Sequence, residues 1–149
     1  MAYKHILAAV DLSEESIQVL DKAHATAQAH GARLSLVTVV KPLTQVYGGL
    51  DMAPISSGAV SFEEEALKAA AAQLRDLAQR YDVPAADTRV VLGAPAHEIR
   101  ALAEELGVDL IVMGTHGRHG LGRLLGSTAS GVLHGVACDV LAVRVRFPE

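Results

Sequence analysis

The stretch DLIVMGTHGRHGLGRLLGSTASGVLHG, residues 109–135, decides the fold class because three different patterns follow one another in it. An apolar run comes first, a glycine-rich segment follows, and the stretch ends in a sequence typical of a helix. Of the 13 glycines in the chain, five lie in the glycine-rich segment: Gly114, Gly117, Gly120, Gly122 and Gly126. An apolar run bounded by turn residues predicts a buried strand, so the stretch predicts a strand, a loop and a helix in that order.

The rest of the chain repeats this alternation of strand-like and helix-like segments. Ser13 is a candidate N-cap of the first helix, and Gly31 is a candidate stop. The segment Lys41–Val60 has no periodicity and predicts a functional or mobile loop, after which Ser61 and Glu64 form a capping box for the second helix. Strands are predicted over 3–11, 32–40, 87–93, 108–114 and 139–145, and helices over 13–30, 61–81, 94–107 and 127–135.

This order of elements predicts an α/β fold. Strands that alternate with helices form a parallel sheet whose two faces are both covered by helices. The near-continuous apolar runs HILAAV, residues 5–10, and DLIVM, residues 109–113, are typical of strands buried on both faces. We therefore predict one domain over residues 1–149, with an open five-stranded parallel sheet and helices on both faces.

Composition and charge exclude several classes of function. The net charge is −4, which argues against a general nucleic-acid-binding protein, although residues 113–149 carry four basic and two acidic side chains. No apolar run reaches the roughly 18 to 20 residues that span a membrane, and the first one is too short for a signal peptide. The single cysteine, Cys138, cannot form an internal disulfide. We expect a soluble cytoplasmic protein that binds no nucleic acid and does not insert into a membrane.

The ligand site is expected where two strands end. Open parallel sheets bind ligands outside the carboxyl ends of their strands, at the point where the strand order reverses. Asp11 follows the first strand and Gly114 ends the fourth, so both would line one crevice if these strands are neighbours. Glycines let the backbone approach a phosphate, and the helix that begins near Ser127 and Thr128 offers unpaired N–H groups to an anion. Asp11 is an acceptor suited to a ribose hydroxyl or a base amino group, so the pattern predicts a bound nucleotide.

Other interpretations of these motifs fit the sequence less well. The chain lacks the Gly-x4-Gly-Lys-Ser/Thr pattern of a P-loop, and GLGRLLG, residues 120–126, differs by one residue from the dinucleotide fingerprint. His116 and His119 have no carboxylate or cysteine nearby in sequence to complete a metal site. No Walker-type aspartate, arginine finger or base beside Cys138 is recognisable. We therefore predict a binding protein and not an enzyme, with any hydrolysis of the nucleotide slow.

Three segments resemble the universal stress protein family, in particular its bacterial UspA-type members. They are MAYKHILAAVDLSEES (1–16), VMGTHG (112–117) and GRHGLGRLLGSTASGVLHGVACDVLAVRV (117–145). The resemblance extends over essentially the whole chain. It implies a Rossmann-like fold of the adenine nucleotide α-hydrolase-like type, a stress-response role, a regulatory protein partner, and homodimers formed partly through the last strand, Asp139 to Val145.

In one subgroup the resemblance also implies ATP bound through the motif Gly-x2-Gly-x9-Gly-Ser/Thr. Asp11 would then contact the ribose, Val39 and Met113 would border the base, and the glycines with Ser127 and Thr128 would hold the ribose and phosphates. His116 and Arg118 are candidate phosphate partners. The predicted nucleotide-binding residues are Ala9, Val10, Asp11, Val39, Met113, Gly114, His116, Gly117, Arg118, Gly126, Ser127 and Thr128. The expected ligand is ATP, ADP or AMP, with Mg²⁺ as an optional companion of the phosphates.

The chain departs from this motif in one place. Residues 118–125 form a spacer of eight residues between Gly117 and Gly126, where the motif has nine. Two main hypotheses follow: a homodimeric regulator that binds an adenine nucleotide, and a UspA-type regulatory dimer that binds none and acts by protein contacts. An enzyme that transfers a nucleotide or phosphate group is a third hypothesis.

Overall fold

Five parallel strands form one sheet in the computed structural model of the protein, which describes residues 2–42, 57–115 and 126–147. The strands are β1 (His5–Ala9), β2 (Arg33–Val40), β3 (Thr88–Leu92), β4 (Leu110–Gly114) and β5 (Asp139–Val143). Their order across the sheet is β3-β2-β1-β4-β5, and every neighbouring pair is parallel. The predicted open five-stranded parallel sheet is therefore confirmed.

Helices cover both faces of this sheet, as predicted. The helices are α1 (Ser16–His30), α2 (Ser57–Arg80), α3 (Pro95–Leu106) and α4 (Ser127–Gly135), with a short 3-10 helix (Ala85–Asp87) before β3. Helices α1 and α2 pack on one face, and α3 and α4 pack on the other. The strand order and the two helical layers define a doubly wound α/β domain.

The central strands divide their side chains between two aliphatic cores. In β1, Ile6 and Ala8 contribute to the core under α1 and α2, whereas Leu7 and Ala9 contribute to the core under α3 and α4. Ile6 and Leu7 are fully buried, so each contributes roughly 1.5 to 3 kcal/mol to the free energy of unfolding. This two-sided burial explains why the run HILAAV contains no polar alternation after its first residue.

The helix C-termini agree with the sequence, because Gly31 and Gly107 end α1 and α3. Both glycines adopt the left-handed conformation, with φ of 63° and 66°. Glycine is favoured there because a side chain at positive φ collides with the following carbonyl.

Two predicted helix starts are wrong. Helix α1 begins at Ser16, because Ser13 donates both its backbone N–H and its hydroxyl to Asp11 and forms part of a preceding turn. Helix α2 begins at Ser57, so the capping box predicted for Ser61 and Glu64 lies inside the helix. The loop predicted over Lys41–Val60 is shortened to the same extent, and residues 43–56 lie outside the described part of the chain. Strand β5 also ends two residues before the predicted position.

Candidate functional site

The strand order reverses between β1 and β4. From β1 the chain proceeds through β2 and β3 on one side, and then returns to β4 and β5 on the other. Ala9 at the end of β1 pairs with Met113 near the end of β4, so Asp11 and Gly114 follow neighbouring strands. The expected adjacency of the first and fourth strands is thereby confirmed. We call the region outside the carboxyl ends of β1 and β4, together with the start of α4, the switch crevice.

Two backbone hydrogen bonds place the start of α4 directly beyond the carboxyl end of β4. Thr115 donates its N–H to the carbonyl of Val143 on β5 (2.9 Å), and Gly126 donates its N–H to the carbonyl of Thr115 (2.7 Å). The two ends of the glycine-rich segment therefore meet directly beyond β4. Helix α4 begins at the next residue, Ser127.

The first turn of α4 has the properties of an anion-binding helix terminus. Gly126 occupies the N-cap position in an extended conformation, with φ −62° and ψ 160°, and no side chain in the described part of the chain caps this turn by a hydrogen bond. The first turn also contains no acidic residue. The N–H groups of Ser127 and Thr128 precede the first intrahelical donor, Ser130, which bonds the carbonyl of Gly126 at 2.9 Å. Such N–H groups and the positive end of the helix dipole favour a negatively charged ligand.

Asp11 is exposed, and its carboxylate organises the turn between β1 and α1. Its Oδ1 atom accepts hydrogen bonds from the Ser13 N–H (3.1 Å), the Ser13 hydroxyl (2.6 Å) and the Ser16 hydroxyl (3.1 Å). Leu12, the next residue, adopts φ 63°, an unusual conformation for a leucine, so the turn is held against local strain. The Oδ2 atom of Asp11 accepts no hydrogen bond from the described residues. One oxygen thus fixes the carboxylate, and the other retains its capacity as an acceptor.

Several other predicted site residues lie in the cores beneath the crevice. Met113 is 4 % exposed and shares the core under α3 and α4 with Ala9, whereas Val10 belongs to the opposite core. Their side chains therefore face the cores, and only their backbone groups lie at the strand ends. Val39 lies half-buried near the end of β2, the strand next to β1, and packs against the same core as Met113.

The remaining predicted residues, His116, Gly117 and Arg118, lie outside the described residues, as does the eight-residue spacer. Sequence reasoning missed Thr115, whose backbone joins β5 to the start of α4. Its position directly after Gly114 was a usable signal. It also missed Ser16, which bonds Asp11, and the positive φ of Leu12, for which a leucine gives no signal.

Nucleophilic and metal chemistry find little support in the described residues. Within 2–42, 57–115 and 126–147, no group of three or more His, Cys, Asp and Glu side chains could hold a metal ion. Cys138 is partly buried against the core under α3 and α4, and burial raises the pKa of its thiol. A raised pKa keeps the thiol protonated near neutral pH, which disfavours nucleophilic attack. None of the helices in these same ranges is both long and apolar enough to cross a membrane.

Fold and site together define a Rossmann-like α/β domain of the adenine nucleotide α-hydrolase-like fold. Residues 2–144 match the model of the universal stress protein family. The chain is also 43 % identical over 146 residues to universal stress protein A homolog 1 of Coxiella burnetii, covering 98 % of this chain and 99 % of that protein. The chain therefore belongs to the universal stress protein family.

Solved structures show the same fold. The universal stress protein UspA from Lactobacillus plantarum superposes with a TM-score of 0.75 and 29 % identity, over 97 % of this chain and 99 % of that one. A universal stress protein in complex with cAMP superposes with a TM-score of 0.62 and 29 % identity, over 96 % of this chain and 98 % of that one.

Proposed function

We propose that this universal stress protein binds an adenine nucleotide in the switch crevice and acts as a cytoplasmic stress-response regulator, not as an enzyme. One observation carries the proposal: the hydrogen bond from Gly126 to Thr115 holds the start of α4 beyond the carboxyl end of β4, the strand that neighbours β1, after which Asp11 follows. An anion-binding terminus and a carboxylate acceptor at one switch point match the two ends of a nucleotide.

Each part of the nucleotide has a candidate partner. The N–H groups of Ser127 and Thr128 suit a phosphate, and the Ser127 hydroxyl is exposed and able to donate as well. The Oδ2 atom of Asp11 suits a ribose hydroxyl, because Oδ1 is already occupied by the turn. His116, Gly117 and Arg118 remain predicted phosphate partners.

The related structure with cAMP supports an adenine nucleotide as the ligand class. ATP, ADP, AMP and cAMP share an adenine, a ribose and at least one phosphate, which are the groups that the crevice residues address. Mg²⁺ would accompany ATP through its phosphates and is not needed for AMP.

A binding role agrees better than catalysis with the described chemistry. Phosphoryl transfer needs a positioned base and stabilisation of the transferred group, usually by a metal ion. Asp11 is an acidic residue at the strand ends of the crevice, and its Oδ1 is engaged by Ser13 and Ser16. We therefore expect any ATP turnover to be slow.

The homodimer is proposed to form through β5. This strand ends the sheet and pairs with β4 alone among the described strands. Val143 directs its backbone toward β4, since its carbonyl accepts the Thr115 N–H, so the alternate residues Val140 and Ala142 direct theirs outward. An outward row of backbone donors and acceptors is a template for pairing with a second copy.

Calorimetric titration of the full chain with ATP, ADP, AMP and cAMP tests the proposal, with GTP as the matched control. We expect saturable binding of at least one adenine nucleotide and weaker binding of GTP. No binding at millimolar nucleotide would contradict the proposal and favour the regulatory dimer that binds no nucleotide. The eight-residue spacer would then be the feature of the sequence that distinguishes this chain from the nucleotide-binding subgroup.

The dimer is tested separately by light scattering of Ala142→Pro. Proline removes an outward N–H at the edge and leaves the ladder to β4 intact. We expect monomers that melt near the wild-type temperature. A dimer that persists would place the interface elsewhere.

A further inference from the structure

Helices α3 and α4 approach each other closely because two glycines of α4 face α3. A side-chain carbon at Gly131 would lie 2.7 Å from the Cβ atom of Ala96. A side-chain carbon at Gly135 would lie 2.8 Å from the Cδ and Nε atoms of Arg100. Gly131 and Gly135 are four residues apart in α4, and Ala96 and Arg100 are four residues apart in α3. Each pair therefore lies on one face of its own helix. The two helices are therefore in close contact at two positions along their length.

Arg100 adds a directed bond to this contact. Its Nη1 atom donates a hydrogen bond of 2.6 Å to the carbonyl of Gly131, in a partly buried position. Because the donor is a charged guanidinium, this hydrogen bond is stronger than one between neutral groups. The contact therefore resists sliding of α4 along its own axis.

These two contacts determine how far α4 extends toward the switch crevice. Both helices follow strands of one parallel sheet, so both begin at its carboxyl edge. Ala96 is the second residue of α3, whereas Gly131, beside it, is the fifth residue of α4. Helix α4 therefore extends about three residues, or roughly 4.5 Å, further toward the crevice than α3 does.

We propose that Arg100 is a positioning residue for the phosphate of the nucleotide, although it lies on α3 and its guanidinium bonds the middle of α4, about one turn from the crevice. This inference rests on the proposed function. By fixing the axial position of α4, Arg100 sets the height of the Ser127 and Thr128 N–H groups. A hydrogen bond to phosphate tolerates only a few tenths of an ångström between about 2.7 and 3.2 Å, so a small slide of α4 weakens it.

The test compares Arg100→Met with Arg75→Met in the full chain. Methionine keeps much of the apolar stem but cannot donate to Gly131, and Arg75 is an exposed arginine of α2 on the other face of the sheet. Two measurements are made: amide chemical shifts without ligand, and the dissociation constants of AMP and adenosine. Adenosine lacks the phosphate and serves as the internal reference.

We expect Arg100→Met to shift the Ser127 and Thr128 amide signals and to weaken AMP binding roughly tenfold, with adenosine changed less than about twofold. Arg100→Lys should restore part of the AMP affinity, and Arg75→Met should change neither measurement. Gly131→Ala, which presses against Ala96, should reproduce the phosphate-selective loss without altering the guanidinium chemically.

Unshifted Ser127 and Thr128 amides would overturn the positioning role, and so would an equal loss of AMP and adenosine affinity. Wild-type protein that binds neither ligand would overturn the proposed function instead, and the amide shifts would then still decide whether Arg100 positions α4.

Discussion

The two edges of the sheet use polar groups in different ways. At the amino edge, side chains bond one another or nearby backbone: the Asp109 carboxylate accepts the N–H groups of Lys4 and His5, and Arg33 forms an ion pair with Asp87. At the carboxyl edge, Asp11 bonds Ser13 and Ser16 through one oxygen, but its Oδ2 atom and the first turn of α4 receive no side-chain hydrogen bond from the described residues. Polar groups that satisfy each other contribute to stability, whereas groups left without protein partners are available to a ligand.

The difference teaches that a groove in the surface does not by itself locate a ligand site. The amino edge contains a groove lined by Arg33, Tyr81 and Asp87, among other residues. Its charged pair is already neutralised within the protein. At the carboxyl edge, the Asp11 Oδ2 atom and the first N–H groups of α4 have no side-chain partner among the described residues, and these are the groups that the proposed function assigns to a nucleotide.

The largest effect is expected at the start of α4, from Ser127→Pro. Proline is accepted at the first position of a helix, and the extended Gly126 before it already has a backbone compatible with a following proline. The substitution deletes one N–H and one hydroxyl at the crevice. AMP affinity should fall roughly 10- to 100-fold, because a hydrogen bond to a charged group contributes about 1.5 to 3 kcal/mol, and adenosine affinity should stay constant.

Ser127→Ala is the matched control, since it removes the hydroxyl alone. If Ser127→Pro and Ser127→Ala weaken AMP equally, the N–H group is not the phosphate donor.

At the amino edge, Asp109→Ala should lower stability and leave nucleotide affinity unchanged. The Lys4 and His5 amides lower the pKa of Asp109, so its contribution is present above the ordinary aspartate pKa and is lost as pH falls through the lowered value. At neutral pH we expect a loss of about 1 kcal/mol, measured by urea unfolding, because the carboxylate is partly exposed. Asp76→Ala, at an exposed position of α2, is the control. Weaker AMP binding by Asp109→Ala would erase the distinction between the edges.

Asp11→Asn sharpens the comparison within the crevice. Asparagine keeps the acceptor that Ser13 and Ser16 use but replaces the second oxygen by an amide donor. AMP and adenosine should both weaken about fivefold, a modest loss for a bond to a carboxylate because Asp11 is exposed to solvent, while the melting temperature changes little. If only AMP weakens, Asp11 does not contact the ribose.

The smallest effect concerns His5, which shares a hydrogen bond of 2.8 Å with the buried Ser35. Burial and the nearby Arg33 lower the pKa of His5. The unfolded chain therefore takes up this proton at a higher pH than the folded protein, so stability is full above about 6.5 and falls as pH decreases below it. In His5→Gln, the decrease in melting temperature below about pH 6.5 should be smaller than in the wild type by about 1 °C. An identical profile for both proteins would remove His5 as its cause.

The sequence predicts the architecture well because burial leaves a direct trace in it. Runs such as DLIVM must be strands covered on both sides, and glycines such as Gly31 end helices for a steric reason. Helix starts were less predictable: Ser13 has the chemistry of an N-cap, but Asp11 two residues earlier competes for its hydroxyl.

The candidate site was predictable in its parts and not in its arrangement. Asp11, Gly126 and Ser127 could be singled out by chemistry, but the neighbouring position of β1 and β4 is a property of the whole sheet. Whether Met113 faces a ligand or a core depends on the direction of its side chain in β4, which a run buried on both faces does not reveal. The contact of Arg100 with Gly131 joins two helices and leaves no motif.

Titration of the isotope-labelled wild-type protein with AMP, followed residue by residue through the backbone amide signals, tests the account most directly. We predict saturable shifts at Asp11, Gly114, Thr115, Ser127 and Thr128, with the amides of Lys4, His5 and Asp109 unmoved. Shifts centred on the amino-edge groove around Arg33 and Tyr81, or no shifts at millimolar AMP, would contradict it.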